Sequence, residues 1–67
     1  MIDIDTFREA KKLLIAGTAP VVAHGMGWPE DDWARVTEVK ASQGAWFARF
    51  LASSEKWTQI DGLEIRL

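Results

Sequence analysis

Apolar positions in the first quarter of the chain recur at helical spacing. Phe7, Ala10 and Leu14, with Leu13 alongside, fall on one side, and Arg8, Glu9, Lys11 and Lys12 fall on the other. Thr6 followed three residues later by Glu9 has the form of a capping box, and Gly17 with Pro20 beyond it supplies a stop. The spacing predicts a helix from about Thr6 to Ala16 whose apolar stripe is core and whose charged side is solvated.

After Gly17 the pattern shortens to the alternation of strands. Ala19 to Met26, around Val21-Val22, reads as a short strand that runs into a Gly-Met-Gly-Trp-Pro loop and the acidic triplet Glu30-Asp31-Asp32. From Trp33 to Ala41 the β-branched Val36, Thr37 and Val39 favour a second strand. Ser42-Gln43-Gly44 reads as a three-residue hairpin loop with Gly44 where a positive φ is wanted, and Ala45 to Ala52 is the partner strand. Asp61-Gly62 is a two-residue turn signal between strands over Trp57–Ile60 and Leu63–Leu67, and in the last of these Leu63, Ile65 and Leu67 alternate with Glu64 and Arg66.

The predicted architecture is therefore α+β, one N-terminal helix packed on a small antiparallel sheet of three to five strands, in a single domain over residues 1–67. An all-α alternative rests on the heptad-like spacing of Val36, Val39, Gln43, Trp46, Phe50, Ser53 and Trp57, which would make residues 30–57 one long helix begun by Pro29 and the acidic triplet. Gly44 in mid-run, polar Gln43 and Ser53 in the seam, and the β-branched cluster weigh for strands.

The two faces of the strand over 45–52 differ in a useful way. Trp46, Ala48, Phe50 and Ala52 alternate large with small, as packing beneath a helix requires. Phe47, Arg49 and Leu51 then point outward as an apolar patch holding an arginine, which is the composition of a partner surface. The assignment depends on hairpin register, because a one-residue slip exchanges the faces.

Size narrows the range of functions. A 7.5 kDa chain folds to a surface of roughly 4,200 Å² from roughly 10,900 Å² extended, so the core is thin. A ligand cavity of roughly 300 to 1,000 Å³ would remove much of the packing, which disfavours a deep enzyme pocket. Four tryptophans and three phenylalanines compensate for the short chain. At roughly 200 Å² each they supply about 1,400 Å² of burial.

Ten acidic and eight basic side chains give a net charge of −2 and a pI near 5.2, which disfavours specific duplex DNA, where a basic face is needed. With no cysteine there are no disulfides and no thiolate metal sites, and a reducing, cytoplasmic setting fits best. The uncharged run that starts at Leu13 and passes through Trp28 is broken by Pro20, His24 and glycines. It is too short to span a bilayer, and Asp3 and Asp5 are wrong for a signal peptide.

Catalytic and ligand motifs are sparse. Ala19-Pro20-Val21-Val22, His24-Gly25 and Trp28-Pro29-Glu30 resemble the strand and His-Gly loop of α/β-hydrolases, whose backbone amides help form an oxyanion hole. That resemblance spans about a dozen residues and implies a Ser on a G-x-S-x-G elbow. Ser42, Ser53 and Ser54 have no such flanks and His24 is the single histidine, so the likeness is coincidental. With no cysteine and no second histidine His24 lacks a zinc set, and it reads as a strand-end residue rather than a metal ligand or pH switch. Asp3 with Asp5, and Asp31 with Asp32, lack calcium-loop spacing and read as solvated or capping carboxylates. Gly25 and Gly27 lack the rest of a phosphate-binding loop. No cofactor and no metal is expected.

Trp28-Pro29-Glu30-Asp31-Asp32-Trp33 admits two readings: a rigid turn with both indoles folded back onto the core, or an acidic loop with aromatic anchors for a basic partner. The expected function is a non-enzymatic protein-binding module, a small inhibitor or adaptor of a larger assembly, in the size class of phage and mobile-element products. Its candidate contact residues are Trp28, Glu30, Asp31, Asp32, Trp33, Phe47, Arg49 and Leu51. The expected partner is a protein, a second copy of the chain included, with no membrane role. The alternative, tied to the all-helical reading, is a small transcriptional regulator or antitoxin-like subunit that dimerises through Trp46 and Phe50.

Overall fold

The computed structural model describes residues 2–17 and 20–66, the side chain of Ser54 excepted. Its order is a helix, α1 (Ile4–Ala16), then strands β1 (Val21–Gly25), β2 (Ala34–Ser42), β3 (Ala45–Phe50) and β4 (Ser53–Ile65). All strand pairings are antiparallel, and they close in the order β1-β2-β3-β4 into a small barrel on which α1 packs, chiefly against β2 and β4. The α+β expectation holds. The long helix over 30–57 does not form, because those residues make β2, β3 and the start of β4. The predicted strand ends at Ala19 and Leu67 lie outside the described residues.

The helix begins two residues earlier than its Thr6 signal. Asp3 is the N-cap, in extended conformation, and its carboxylate accepts from the Asp5 amide at 3.3 Å while its carbonyl accepts from Phe7 at 3.0 Å. The flanking apolar residues decide the matter: Ile2 just before the cap and Phe7 four positions after it are both buried in the core cluster, the arrangement of a hydrophobic staple. Thr6 and Glu9 lie inside the helix instead of capping it. At the other end Gly17, at φ 69°, donates to the Leu13 carbonyl at 2.8 Å and closes the helix as expected.

The β2–β3 hairpin turns on two residues, one fewer than the sequence suggests. Ser42 pairs with Ala45, and Gln43 and Gly44 take φ of 51° and 77°, the pair of positive values a type I′ turn requires. This register places Val39 opposite Ala48 and Lys40 opposite Phe47. Trp46, Ala48 and Phe50 face the interior, with Ala48 fully buried and the Trp46 ring 4.6 Å from that of Phe7. Strand β3 ends at Phe50, so Ala52 is an exposed turn residue and does not join the inner face.

A larger difference concerns Asp61-Gly62. The chain does not turn there; β4 is continuous, pairing with β3 through Thr58 and Gln59 and with β1 from Ile60 to Ile65. His24 pairs with Gly62 and Gly25 with Ile60, which leaves Asp61 as the extra residue of a bulge. The Asp-Gly pair bends the strand where it passes from one half of the barrel to the other.

Candidate functional site

The loop between β1 and β2 is fixed by its own turns and by two glycines. Trp28 donates its amide to Gly25 and Asp32 donates its amide to Pro29, each bond closing a tight turn. A Cβ at Gly25 would come within 2.5 Å of Trp28 Nε1, and one at Gly62 within 2.7 Å of Trp33 Cη2. Both indoles therefore pack against backbone that only glycine leaves clear. Trp28 continues inward to stack on Phe50, with ring centroids 5.0 Å apart. Glu30, Asp31 and Asp32 stay exposed at the tip.

His24 lies between these two rings, its centroid 6.2 Å from Trp28 and 5.5 Å from Trp33. Its Nδ1 is 2.6 Å from Asp61 Oδ1, and its Nε2 is 2.7 Å from the Pro29 carbonyl. The Asp61 bulge turns its carboxylate back onto β1, joining residues far apart in sequence. The His24 pKa is raised above the ordinary histidine value, first by the hydrogen bond to Asp61, then by the one to Pro29; partial burial opposes them, and the negative charges of Asp61 and Asp32 add to the rise.

A histidine paired with an aspartate invites comparison with catalytic dyads, but Nε2, the atom a general base would use, is committed to a backbone carbonyl. The neighbouring groove, of about 510 Å³ and bordered by Glu30, Trp33, Asp61 and Glu64, is open to solvent. Among the described residues no group of three or more His, Cys, Asp or Glu is placed to hold a metal ion.

No family model, no curated protein and no solved structure matches the chain. The outer face of the β2-β3-β4 sheet carries the other candidate surface. There Lys40, Phe47, Arg49 and Trp57 form one cluster: Lys40 Nζ lies 4.4 Å from the Trp57 ring centre and 5.9 Å from that of Phe47, and the Arg49 guanidinium lies 5.6 Å from Trp57. Arg49 also pairs with Glu38 at 3.1 Å. Leu51, 63% exposed, stands at the rim in the turn after β3 instead of in the strand.

The sequence-derived contact residues thus fall in two places. Trp28, Glu30, Asp31, Asp32 and Trp33 make the β1–β2 loop, and Phe47, Arg49 and Leu51 belong to the outer sheet face and its rim. Trp28 stacks on the inward-facing Phe50, whereas Phe47 and Arg49 point to the other side of the sheet. Two members of the outer cluster, Lys40 and Trp57, were not singled out from the sequence as contact residues. They come from neighbouring strands, and their signal was the outward parity of Lys40 once it pairs with Phe47. Among the described residues no helix is long and apolar enough to cross a membrane.

Proposed function

We propose that the chain is a non-enzymatic protein-binding module whose contact surface is the outer face of β2, β3 and β4, centred on Phe47, Arg49 and Trp57 with Leu51 at its rim. The observation that carries this reading is the cluster of two aromatic rings under two cations on the side of the sheet opposite the core. Tryptophan and arginine are the residue types most enriched in binding hot spots, and on this face neither is needed to fill the interior. The partner surface would be apolar with carboxylates at its edge, able to compete for Lys40 and Arg49. The β1–β2 loop supplies exposed negative charge but spends its indoles on packing, which favours the sheet face over the loop.

The test is affinity capture from the native host with the wild type, with Phe47→Ala and Trp57→Ala, and with Asp31→Lys/Asp32→Lys. A partner lost with the two aromatic variants, while they stay folded by circular dichroism, and retained with the loop variant supports the sheet face. The reverse pattern moves the site to the acidic loop and overturns the reading. Sedimentation of the same variants shows whether the partner is a second copy.

A further inference from the structure

Both ring nitrogens of His24 meet acceptors. The Pro29 carbonyl can only accept, so Nε2 carries a hydrogen; that same oxygen also takes the Asp32 amide at 2.9 Å. Asp61, its side chain 42% exposed to water, faces Nδ1 as a carboxylate and also accepts. An imidazole with hydrogens on both nitrogens is a cation. We propose that His24 is a proton-controlled latch: as an imidazolium it ties the β1–β2 loop, through Pro29, to the Asp61 bulge of β4, and on losing a proton it releases one of these two holds.

The surroundings favour the cation. Asp61 and Glu64 face the site from β4, and Glu30 and Asp32 from the loop. One positive charge opposes them: the Arg66 guanidinium lies 5.6 Å from the Trp33 ring centre, and its Nε pairs with Glu64 at 3.7 Å. The His24 side chain is only 12% exposed, with the Trp28 and Trp33 rings beside it, while Asp61 and the Pro29 end of the link reach solvent. Loss of the Nδ1 proton sets a lone pair against the Asp61 carboxylate, and loss of the Nε2 proton does the same against the Pro29 carbonyl. The first breaks the tie to β4 and leaves Pro29 bonded to His24 but no longer, through it, to Asp61; the second frees Pro29 from His24, and the loop is then held by its own turns and by packing.

The sign follows from the raised pKa. The latch contributes its full stabilisation below the unfolded-state value near 6.5, and loses it as pH rises through the higher folded-state value. The consequence is a loop that loosens toward alkaline pH.

Nitrogen-15 NMR of the His24 ring, with the Trp28 and Trp33 indole N–H signals followed in the same pH titration, tests this. At about pH 6 both ring nitrogens are expected in the protonated range, and both indole signals should shift with the same midpoint as the ring. Asp61→Asn should lower that midpoint. If this variant fails to fold, the wild-type titration decides by itself. A neutral His24 tautomer at about pH 6, or a ring that titrates while both indoles stay still, would overturn the latch.

Discussion

Beneath the indoles of Trp28 and Trp33 lie the glycines of β1 and β4; over the rings of Phe47 and Trp57 lie an ammonium and a guanidinium group. The first pair replaces side chains that the backbone lacks, so each ring becomes part of the wall. The second pair lies half-buried on the outer pleat under Lys40 and Arg49, the latter also paired with Glu38. Aromatic residues in a small protein thus divide by what their faces touch, and the composition of the segment that carries them does not reveal it.

Substitutions on the inner face should have the largest effect. Phe50→Ala removes the ring on which Trp28 stacks and should cost about 3 to 5 kcal/mol, measured by denaturant unfolding. If Phe47→Ala costs as much, the assignment of inner and outer faces is reversed. Gly25→Ala should cost about 1 to 3 kcal/mol, because the new methyl meets an indole that Phe50 prevents from retreating. Gly62→Ala should cost less, since its methyl meets the tip of the Trp33 ring at 2.7 Å and the His24 Cβ at 3.3 Å, looser than the contacts at Gly25, and the order of the two midpoints checks the wall-like role of each tryptophan.

On the outer face the expected changes in stability are smaller. Trp57→Ala should lower stability by about 1 kcal/mol or less while removing whatever partner the face binds; a fall in its thermal midpoint as large as that of Phe50→Ala would make it a core residue. Lys40→Gln is the mildest change. It removes the ammonium from over both Trp57 and Phe47, the nearer contact being worth about 0.5 to 1 kcal/mol at an exposed site, and its thermal midpoint should stay close to that of the wild type.

Much of this was legible in the sequence. Helix α1, its Gly17 stop, the β-branched run of β2 and the large-small alternation of Trp46, Ala48 and Phe50 all obey local rules, and the architecture follows from them. The errors occur where a local signal competes with a contact made elsewhere. Thr6 and Glu9 have capping form, but Ile2 reaches the core only if Asp3 caps. Asp61-Gly62 has turn form, but closing the barrel needs β4 to continue past it, and the pair serves as a bulge. The His24 site is the least legible of all, because half of it comes from that bulge and the other half from the carbonyl of Pro29, which leaves no side-chain signature.

The passage of β4 through both halves of the barrel also sets the order in which the molecule can assemble. The β2–β3 hairpin needs only its two-residue turn and belongs to a class of events that take about 1 to 10 μs. Pairing Val21 with Ile65 must instead close a loop of about 40 residues, at an entropic cost of about 3 kcal/mol from chain length alone. The barrier to folding is therefore expected to lie at the meeting of β1 and β4. Until that seam forms, His24 has no Asp61 and Trp33 no Gly62, so the loop that looks most like an independent motif is among the last parts of the chain to acquire its shape.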